Sequence, residues 1–137
     1  DGLGVSPQAA LEELDKVIYN PEYKLIMHNG LHFDIYLHSI HRRLLNKEVD
    51  YSYLSRFLDS SALTKAMFLK VVPQTNEDWL VFQYRLANFR QKGLFSSIAY
   101  LCKHYDIPYD AKAAHDAAYD VQILYDIWKK LIWNVEI

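Results

Sequence analysis

Cysteine, long apolar stretches and an excess of positive charge are all scarce in this sequence of 137 residues. Its one cysteine, Cys102, has no partner for a disulfide within the chain, and its apolar surroundings favour a buried thiol. A reducing, intracellular and cytoplasmic location is therefore expected. No apolar run approaches the roughly 20 residues that cross a bilayer, so a membrane-spanning protein is not expected. The net charge of −2 argues against a large basic surface for long nucleic acid, because that mode of binding needs many phosphate-neutralising cations.

The sequence does contain enough apolar side chains for one domain over residues 1–137, arranged in short periodic segments. Ser6 followed by Pro7 is typical of a helix start, and this helix is expected to end near Asn20-Pro21. The apolar run from Lys24 to Met27 predicts a buried strand that ends at the Asn29-Gly30 turn. Further expected elements are a helix with an apolar stripe of Phe33, Tyr36, Leu37, Ile40 and Leu44, a short strand at 56–58, a helix from Ser61 to about Leu69, and helices near 79–89, 94–105 and 116–133.

The expected strands are few compared with the expected helices. A sheet usually needs three or more strands to be stable by itself, and only two are visible here. The fold class is therefore expected to be α/β, with a central mixed sheet flanked by helices and with N-terminal strands outside this sequence.

Two carboxylates occupy unusual places in these elements. Asp120 falls inside the apolar arc of the last helix, where an ionised group needs a cation or several donors to replace its water. Asp34 directly follows a strand and a turn, which is where α/β sheets keep their ligand crevices. For both residues, an aspartate near a helix start that turns outward and interacts with the helix dipole is the alternative. The arc that surrounds Asp120 consists of Ala117, Val121, Leu124, Ile127 and Leu131.

Two strings in the sequence carry a family resemblance. The string HNGLHFD at 28–34 is similar to an H-N-x-x-F-D motif with one additional residue. The string HDAAYD at 115–120 fits H-x-A-x-x-D, with His115, Ala117 and Asp120 at the fixed positions. Between them, Leu58-Asp59-Ser60 and the segment 93–98 are similar to the strand and the helix approach that separate these motifs. In this order the motifs resemble those of the DEDDh 3'→5' exonucleases, which include polymerase proofreading subunits, RNase T and oligoribonuclease.

The resemblance implies an RNase H-like exonuclease fold and hydrolysis of phosphodiester bonds at a single-stranded 3' end of DNA or RNA. It also implies two Mg²⁺ or Mn²⁺ ions held by four acidic residues, of which Asp34 and Asp120 are two. His115 is implied as the general base, a role that suits an imidazole whose pKa lies near working pH. The substrate-binding residues that the resemblance implies are His28, Asn29 and Phe33.

One motif of the family is absent from the sequence. The family begins with Asp-x-Glu on its first strand, and no Asp-x-Glu occurs in these residues. The first motif is therefore expected on a missing N-terminal segment or on another chain. The 137 residues alone are expected to be inactive and to associate with that segment, with another chain or with another copy as a homo-oligomer. Two rival functions stay open, namely a catalytically inactive exonuclease-like module for nucleic-acid binding or assembly, and a structural subunit whose strands come from a partner.

Three other features allow more than one interpretation. His38 and His41 have the spacing of two zinc ligands, but Arg42-Arg43 beside them favours a solvated helix face. The aromatic segment 79–90 suits either a stacking platform for bases or core packing, and packing is favoured. Lys112, before the third motif, is a candidate phosphate contact or a solvated lysine.

Overall fold

The computed structural model describes residues 5–114 and 116–134. Within these ranges the chain is mixed α/β, with six α-helices and two strands that pair in parallel, which confirms the α/β class. No helix in the same ranges is long and apolar enough to cross a membrane. In chain order the elements are α1 (Pro7–Ile18), β1 (Leu25–Met27), α2 (Asp34–Leu44), a 3₁₀ turn (Ser52–Arg56), β2 (Phe57–Asp59), α3 (Ser60–Leu69), α4 (Trp79–Asn88), α5 (Ile98–His104), α6 (Ala117–Leu131) and a 3₁₀ turn (Ile132–Asn134).

Local sequence signals set the helix ends. The hydroxyl oxygen of Ser6 accepts a hydrogen bond from the backbone N–H of Ala9 at 3.1 Å, and Pro7 is the first helical residue of α1, as predicted. Helix α3 ends at Leu69, where Lys70 adopts a left-handed conformation with φ of 55°. Such terminal signals depend only on neighbouring residues, and this explains why they are readable from the sequence.

The two strands run side by side, with Leu25 opposite Phe57 and Met27 opposite Asp59. Because they are parallel, the segments that follow them leave the sheet at the same edge. The far edge of β2 is closed by a side chain instead of a third strand. The amide of Gln83 donates to the carbonyl of Phe57 at 3.0 Å and accepts from the N–H of Asp59 at 2.6 Å. Among the described residues, β1 pairs with β2 alone.

The core is built around β2 and the helices beside it. Phe57, Phe82 and Leu86 are each at most 2% exposed and belong to one apolar cluster. A second cluster joins α5 and α6 through Leu101 and Ile127, and it includes the buried Cys102. Removing an aromatic ring from such a core costs about 3–5 kcal/mol. Packing in these two clusters holds α4 and α6 in their positions relative to the sheet edge.

Two helices present faces that differ from those expected. The apolar stripe predicted around α2 is 48 to 72% exposed, and the opposite face, with Ile35 and His38, is buried. On α6 the expected arc is rotated, because Ile123 packs against the second cluster while Val121 is 68% exposed. Periodicity identifies an apolar arc, but the neighbouring elements decide which part of it is covered. The exposed stripe comprises Phe33, Tyr36, Leu37, Ile40 and Leu44.

Candidate functional site

One buried carboxylate holds the segment 28–34 in place. Asp59 ends β2, is fully buried, and accepts hydrogen bonds from the N–H groups of Asn29 at 3.0 Å and Leu31 at 3.1 Å. The same carboxylate caps α3 by accepting from the N–H groups of Ser61 and Ala62. Four donors therefore converge on Asp59, which replaces the hydration that burial removes. Both of its oxygens accept backbone hydrogen bonds that shape the site.

The turn within this segment needs particular residues. Asn29 has a φ of 60°, in the left-handed region that asparagine tolerates better than most residues. A Cβ atom at Gly30 would lie 2.7 Å from the ring of Phe57 and 2.8 Å from Cβ of Met27. Any larger residue at this position would push the turn away from the strands. The turn then leads into α2 through a hydrogen bond from the N–H of Ile35 to the carbonyl of Gly30 at 3.1 Å.

A cavity of about 870 Å³ lies beside this turn. Asp120, half-buried in the first turn of α6, lines it together with His28, Asn29 and Phe33. The third predicted motif thus contributes its aspartate to the cavity that holds all three of the predicted substrate-binding residues. These positions are distant along the chain, and packing of α6 against α5 and against α3, the helix that follows β2, brings them together.

Asp34 lies in a neighbouring position rather than on the same wall. It begins α2 and lines a smaller cavity of about 260 Å³ with Met27, Leu37 and His38. Although Asp34 is open to solvent on one side, burial of its carboxyl group raises its pKa, and the negative charge of Asp59 raises it further. A nearby cation would relieve both effects. The raised pKa shows that the ionised form of Asp34 lacks a compensating positive charge in this arrangement, and the two cavities are separately lined.

The predicted general base, His115, lies outside the described residues. Its neighbour Asp116 caps α6 by accepting from the N–H of Tyr119 at 3.0 Å. The hydroxyl group of Tyr119 in turn accepts from the N–H of Asp110 at 2.6 Å. These bonds fix the approach to α6 on both sides of position 115 and give Asp116 a capping role.

His28 is the most constrained imidazole in the cavity. Its Nδ1 atom lies 2.9 Å from the hydroxyl oxygen of Ser60, which also donates to the carbonyl of Met27 at 3.3 Å. Burial lowers the pKa of His28, against the opposing influence of the Asp59 charge and of a hydrogen bond to the Ser96 backbone. The ring is therefore neutral near pH 7. In this form it holds its hydrogen bond with Ser60 and carries no charge into the cavity.

Sequence reasoning missed a basic part of the same cavity. Lys65 of α3 and Arg90, which follows α4, both line it, and so does the exposed ring of Phe95. Lys65 lies in the helix after β2. The spacing of apolar residues in this helix does not predict that a lysine is buried there. The sequence offered Arg90 only as part of an aromatic segment.

The structure distinguishes among the alternative interpretations. His38 is buried, and its Nε2 atom lies 2.7 Å from Asp15, which also pairs with Arg42, so this imidazole has a structural partner. In α4, Phe82 and Leu86 are buried, which confirms core packing for the centre of that segment. Lys112 is exposed and is absent from the cavity walls.

The described residues do not by themselves form a metal centre. No group of three or more histidine, cysteine, aspartate or glutamate side chains is clustered within ranges 5–114 and 116–134. Asp34 and Asp120 supply oxygen ligands of the kind that Mg²⁺ prefers, but a stable site needs more of them. No protein-family model matches this chain, and no curated protein or solved structure is significantly similar to it.

Proposed function

We propose that this chain is the part of a metal-dependent 3'→5' exonuclease with an RNase H-like fold that binds the 3' end of a single-stranded nucleic acid. The observation that supports the proposal is the meeting of Asp120 with His28, Asn29 and Phe33 in one cavity. This cavity opens where the two parallel strands end, which is the usual place for a ligand crevice in an α/β sheet. Its volume of about 870 Å³ lies within the range of small-molecule sites and suits a terminal nucleotide.

Each residue has a defined role in the proposal. Asp34 and Asp120 belong to the carboxylate set for Mg²⁺ or Mn²⁺, ions that stabilise charge on the oxygens at phosphorus when bound. His115 is the general base that accepts a proton from the attacking water. Phe33 is 61% exposed at the cavity wall, so its ring is free to stack on a base. Asn29 offers its side-chain amide to the sugar or phosphate.

A further strand is part of the proposal. The far edge of β2 is closed by Gln83, so a strand added to this sheet must pair with β1. Such a strand would lie next to the segment 28–34 and place Asp-x-Glu carboxylates near Asp34. The exposed stripe of α2 beyond Phe33 gives the added segment an apolar surface to cover. We assign this strand to an N-terminal segment or to a second polypeptide, with pairing between copies of this chain as the alternative.

An assay of strand shortening tests the function. The coding sequence upstream of Asp1 is read for an Asp-x-Glu strand, and the protein with that strand is given a short single-stranded oligonucleotide with a fluorophore at its 5' end. Stepwise shortening from a free 3' hydroxyl is expected with Mg²⁺, and none is expected with EDTA or with a blocked 3' end. Asp120→Asn should abolish shortening. Asp126→Asn is the matched control, because Asp126 lies on the same helix and pairs with Lys129 outside the cavity.

The rival is a catalytically inactive module that keeps the cavity for binding or assembly. The observation in its favour is the lack of a cluster of three metal-binding side chains in the described parts of the chain. This module would bind a 3' end with unchanged affinity in EDTA and would release no nucleotide even with the added strand. Mg²⁺-dependent shortening that requires Asp120 would exclude it.

A further inference from the structure

Lys65 is a buried cation without a carboxylate partner among the described residues. The residue is 7% exposed, and its Nζ atom donates to the carbonyls of Ala87 at 3.1 Å and Phe89 at 3.0 Å. No ion pair joins Lys65 to an acidic side chain in ranges 5–114 and 116–134. The carboxylate that influences it, Asp59, already accepts four backbone hydrogen bonds. Its positive charge is therefore balanced mainly by two neutral carbonyl dipoles.

A second cation converges on the same two carbonyls. The Nη1 atom of Arg90 donates to the carbonyl of Ala87 at 2.8 Å and to that of Phe89 at 3.2 Å. The Nε2 atom of His32 lies 3.3 Å from the same Ala87 oxygen. These carbonyls lie at the C-terminal end of α4, whose partial negative charge of about half an electron offsets only part of two full positive charges. Burial lowers the pKa of Lys65, and Arg90 lowers it further.

Both cations face the cavity that holds Asp120. Two hydroxyl groups also line this cavity, and Oγ of Ser61 is 2.8 Å from Oγ of Ser96. An anion between Lys65 and Arg90 would remove the repulsion between them and would also find hydroxyl donors nearby. Phosphate is the anion that best suits this pair, because the fork of arginine and the compact ammonium of lysine both bind phosphate oxygens.

We propose that Lys65 and Arg90 form a subsite for a backbone phosphate of the bound strand, with one hydroxyl group of the hydrogen-bonded Ser61–Ser96 pair as an additional donor. The identity of the ligand as a nucleic acid rests on the proposed function, whereas the anion subsite rests on the geometry of the two cations. The rings of Phe33 and Phe95 are 61% and 56% exposed and line the same cavity, so they would be able to stack on bases next to such a phosphate. Asp120 and this subsite would then act on one strand from the same cavity.

A comparison of two charge-matched variants tests the subsite in the full chain. Arg90→Gln removes a cavity cation, and Lys92→Gln removes an exposed cation two residues away that does not line the cavity. Because both variants change the net charge equally, long-range attraction is the same in each. Two probes are titrated in EDTA, namely inorganic phosphate and a single-stranded pentanucleotide, with fluorescence or calorimetry as the readout. Arg90→Gln should weaken both by about tenfold or more, as loss of one charge-assisted contact does, while Lys92→Gln should match the parent protein.

The salt dependence gives a second measurement. The slope of log affinity against log salt for the pentanucleotide should fall by about one for Arg90→Gln, and it should stay unchanged for Lys92→Gln. Phosphate should also shift the Lys65 ε-methylene resonance in an NMR titration and raise the pKa of its amine, because an anion favours the charged form. This readout needs no Lys65 variant, so the buried hydrogen bonds from Nζ to the Ala87 and Phe89 carbonyls stay in place.

The outcomes separate this subsite from the proposed function. If the pentanucleotide binds and Arg90→Gln and Lys92→Gln weaken it equally, the subsite is refuted while binding of nucleic acid stands. If phosphate binds in an Arg90-dependent way and the pentanucleotide does not bind, the anion subsite stands and the proposed strand ligand is wrong. If neither probe binds or moves the Lys65 resonance, the subsite is refuted.

Discussion

The side chain of Asp59 accepts a hydrogen bond from the backbone N–H of Asn29 at 3.0 Å, across the ends of the two paired strands. This bond and the one from Leu31 fix the turn that carries His28 and Phe33 into the cavity. The negative charge of Asp59 also raises the pKa of Asp34 and opposes the lowering of the His28 pKa. A residue that itself binds no ligand in this arrangement thus sets both the geometry and the electrostatics of the candidate site.

Replacing Asp59 should destabilise the protein far more than replacing another helix cap. Asp59→Ala leaves four backbone donors without their acceptor, and unsatisfied buried groups cost about 1–3 kcal/mol each, so a total loss above about 3 kcal/mol is expected. Asp78 caps α4 with two similar bonds at an exposed position, and Asp78→Ala should cost about 1 kcal/mol. Urea unfolding of both variants measures the difference. Similar losses for the two variants would show that Asp59 is an ordinary cap.

Gln83 should behave as a substitute strand. Gln83→Leu leaves the carbonyl of Phe57 and the N–H of Asp59 unpaired in the core, which should cost about 2–4 kcal/mol. Hydrogen exchange of the Asp59 amide should accelerate by more than the change in global stability explains, because the bond that protects it is removed locally. Gln74→Leu, at an exposed loop position, is the control and should leave both quantities nearly unchanged.

Arg56 should not be replaceable by lysine. Its guanidinium donates to the carbonyls of Ile18, Asn20 and Tyr23, at 2.5 to 2.7 Å, and so joins the end of α1 to the start of β1. A lysine ammonium lacks the planar fork that reaches all three, so Arg56→Lys should lower the free energy of unfolding by about 1–3 kcal/mol. Thermal and urea unfolding measure this change in the free energy of unfolding. Arg43→Lys on the exposed face of α2 should change stability by less than about 0.5 kcal/mol, and an equal effect at both positions would contradict the prediction.

His28 should make the protein less stable as the pH falls. Burial lowers its folded-state pKa below the ordinary value of 6.5, so the unfolded chain binds its proton first as the solution becomes acidic. The stability that depends on neutral His28 is complete above about pH 6.5 and is lost as the pH falls from there toward the folded-state pKa. The difference in unfolding free energy between pH 7.5 and pH 5.5 should therefore be smaller in His28→Gln than in the parent. An NMR titration midpoint of His28 above 6.5 would contradict this prediction, because protonation of His28 would then make the protein more stable as the pH falls.

Turnover should depend on His115 without a comparable effect on binding. In the protein that includes the Asp-x-Glu strand, His115→Ala should reduce the rate of shortening by about 10²–10⁴, as loss of a general base does. Binding of the 3' end in EDTA should change little, and this is measured on the same variant. Equal losses in rate and affinity would instead assign the residue to substrate binding or structure.

In a crystal structure with Mg²⁺, the carboxylates of Asp34 and Asp120 are expected within about 10 Å of each other, which is the reach of a shared two-metal site.

Local features of the fold were readable from the sequence because they depend on adjacent residues. The Ser6-Pro7 start of α1 and the strand at Leu25–Met27 were predicted to within about two residues, as their caps and turn residues lie beside them. The helix that begins at Ser60 was equally readable. The buried face of α2 was not, since its apolar stripe is exposed and Ile35 is covered instead.

The sequence by itself determined which residue types could form the site, because the strings HNGLHFD and HDAAYD are contiguous and their chemistry is visible in their letters. Only the tertiary structure decided that Asp120 shares a cavity with His28 while Asp34 lines the neighbouring one. It also decided that Lys65 and Arg90 meet on the carbonyls at the end of α4. Periodicity fixes the angle of a side chain about its own helix axis, whereas the position of that axis relative to its neighbours depends on packing between distant segments. For this reason the members of each motif could be predicted, and their arrangement in space could not.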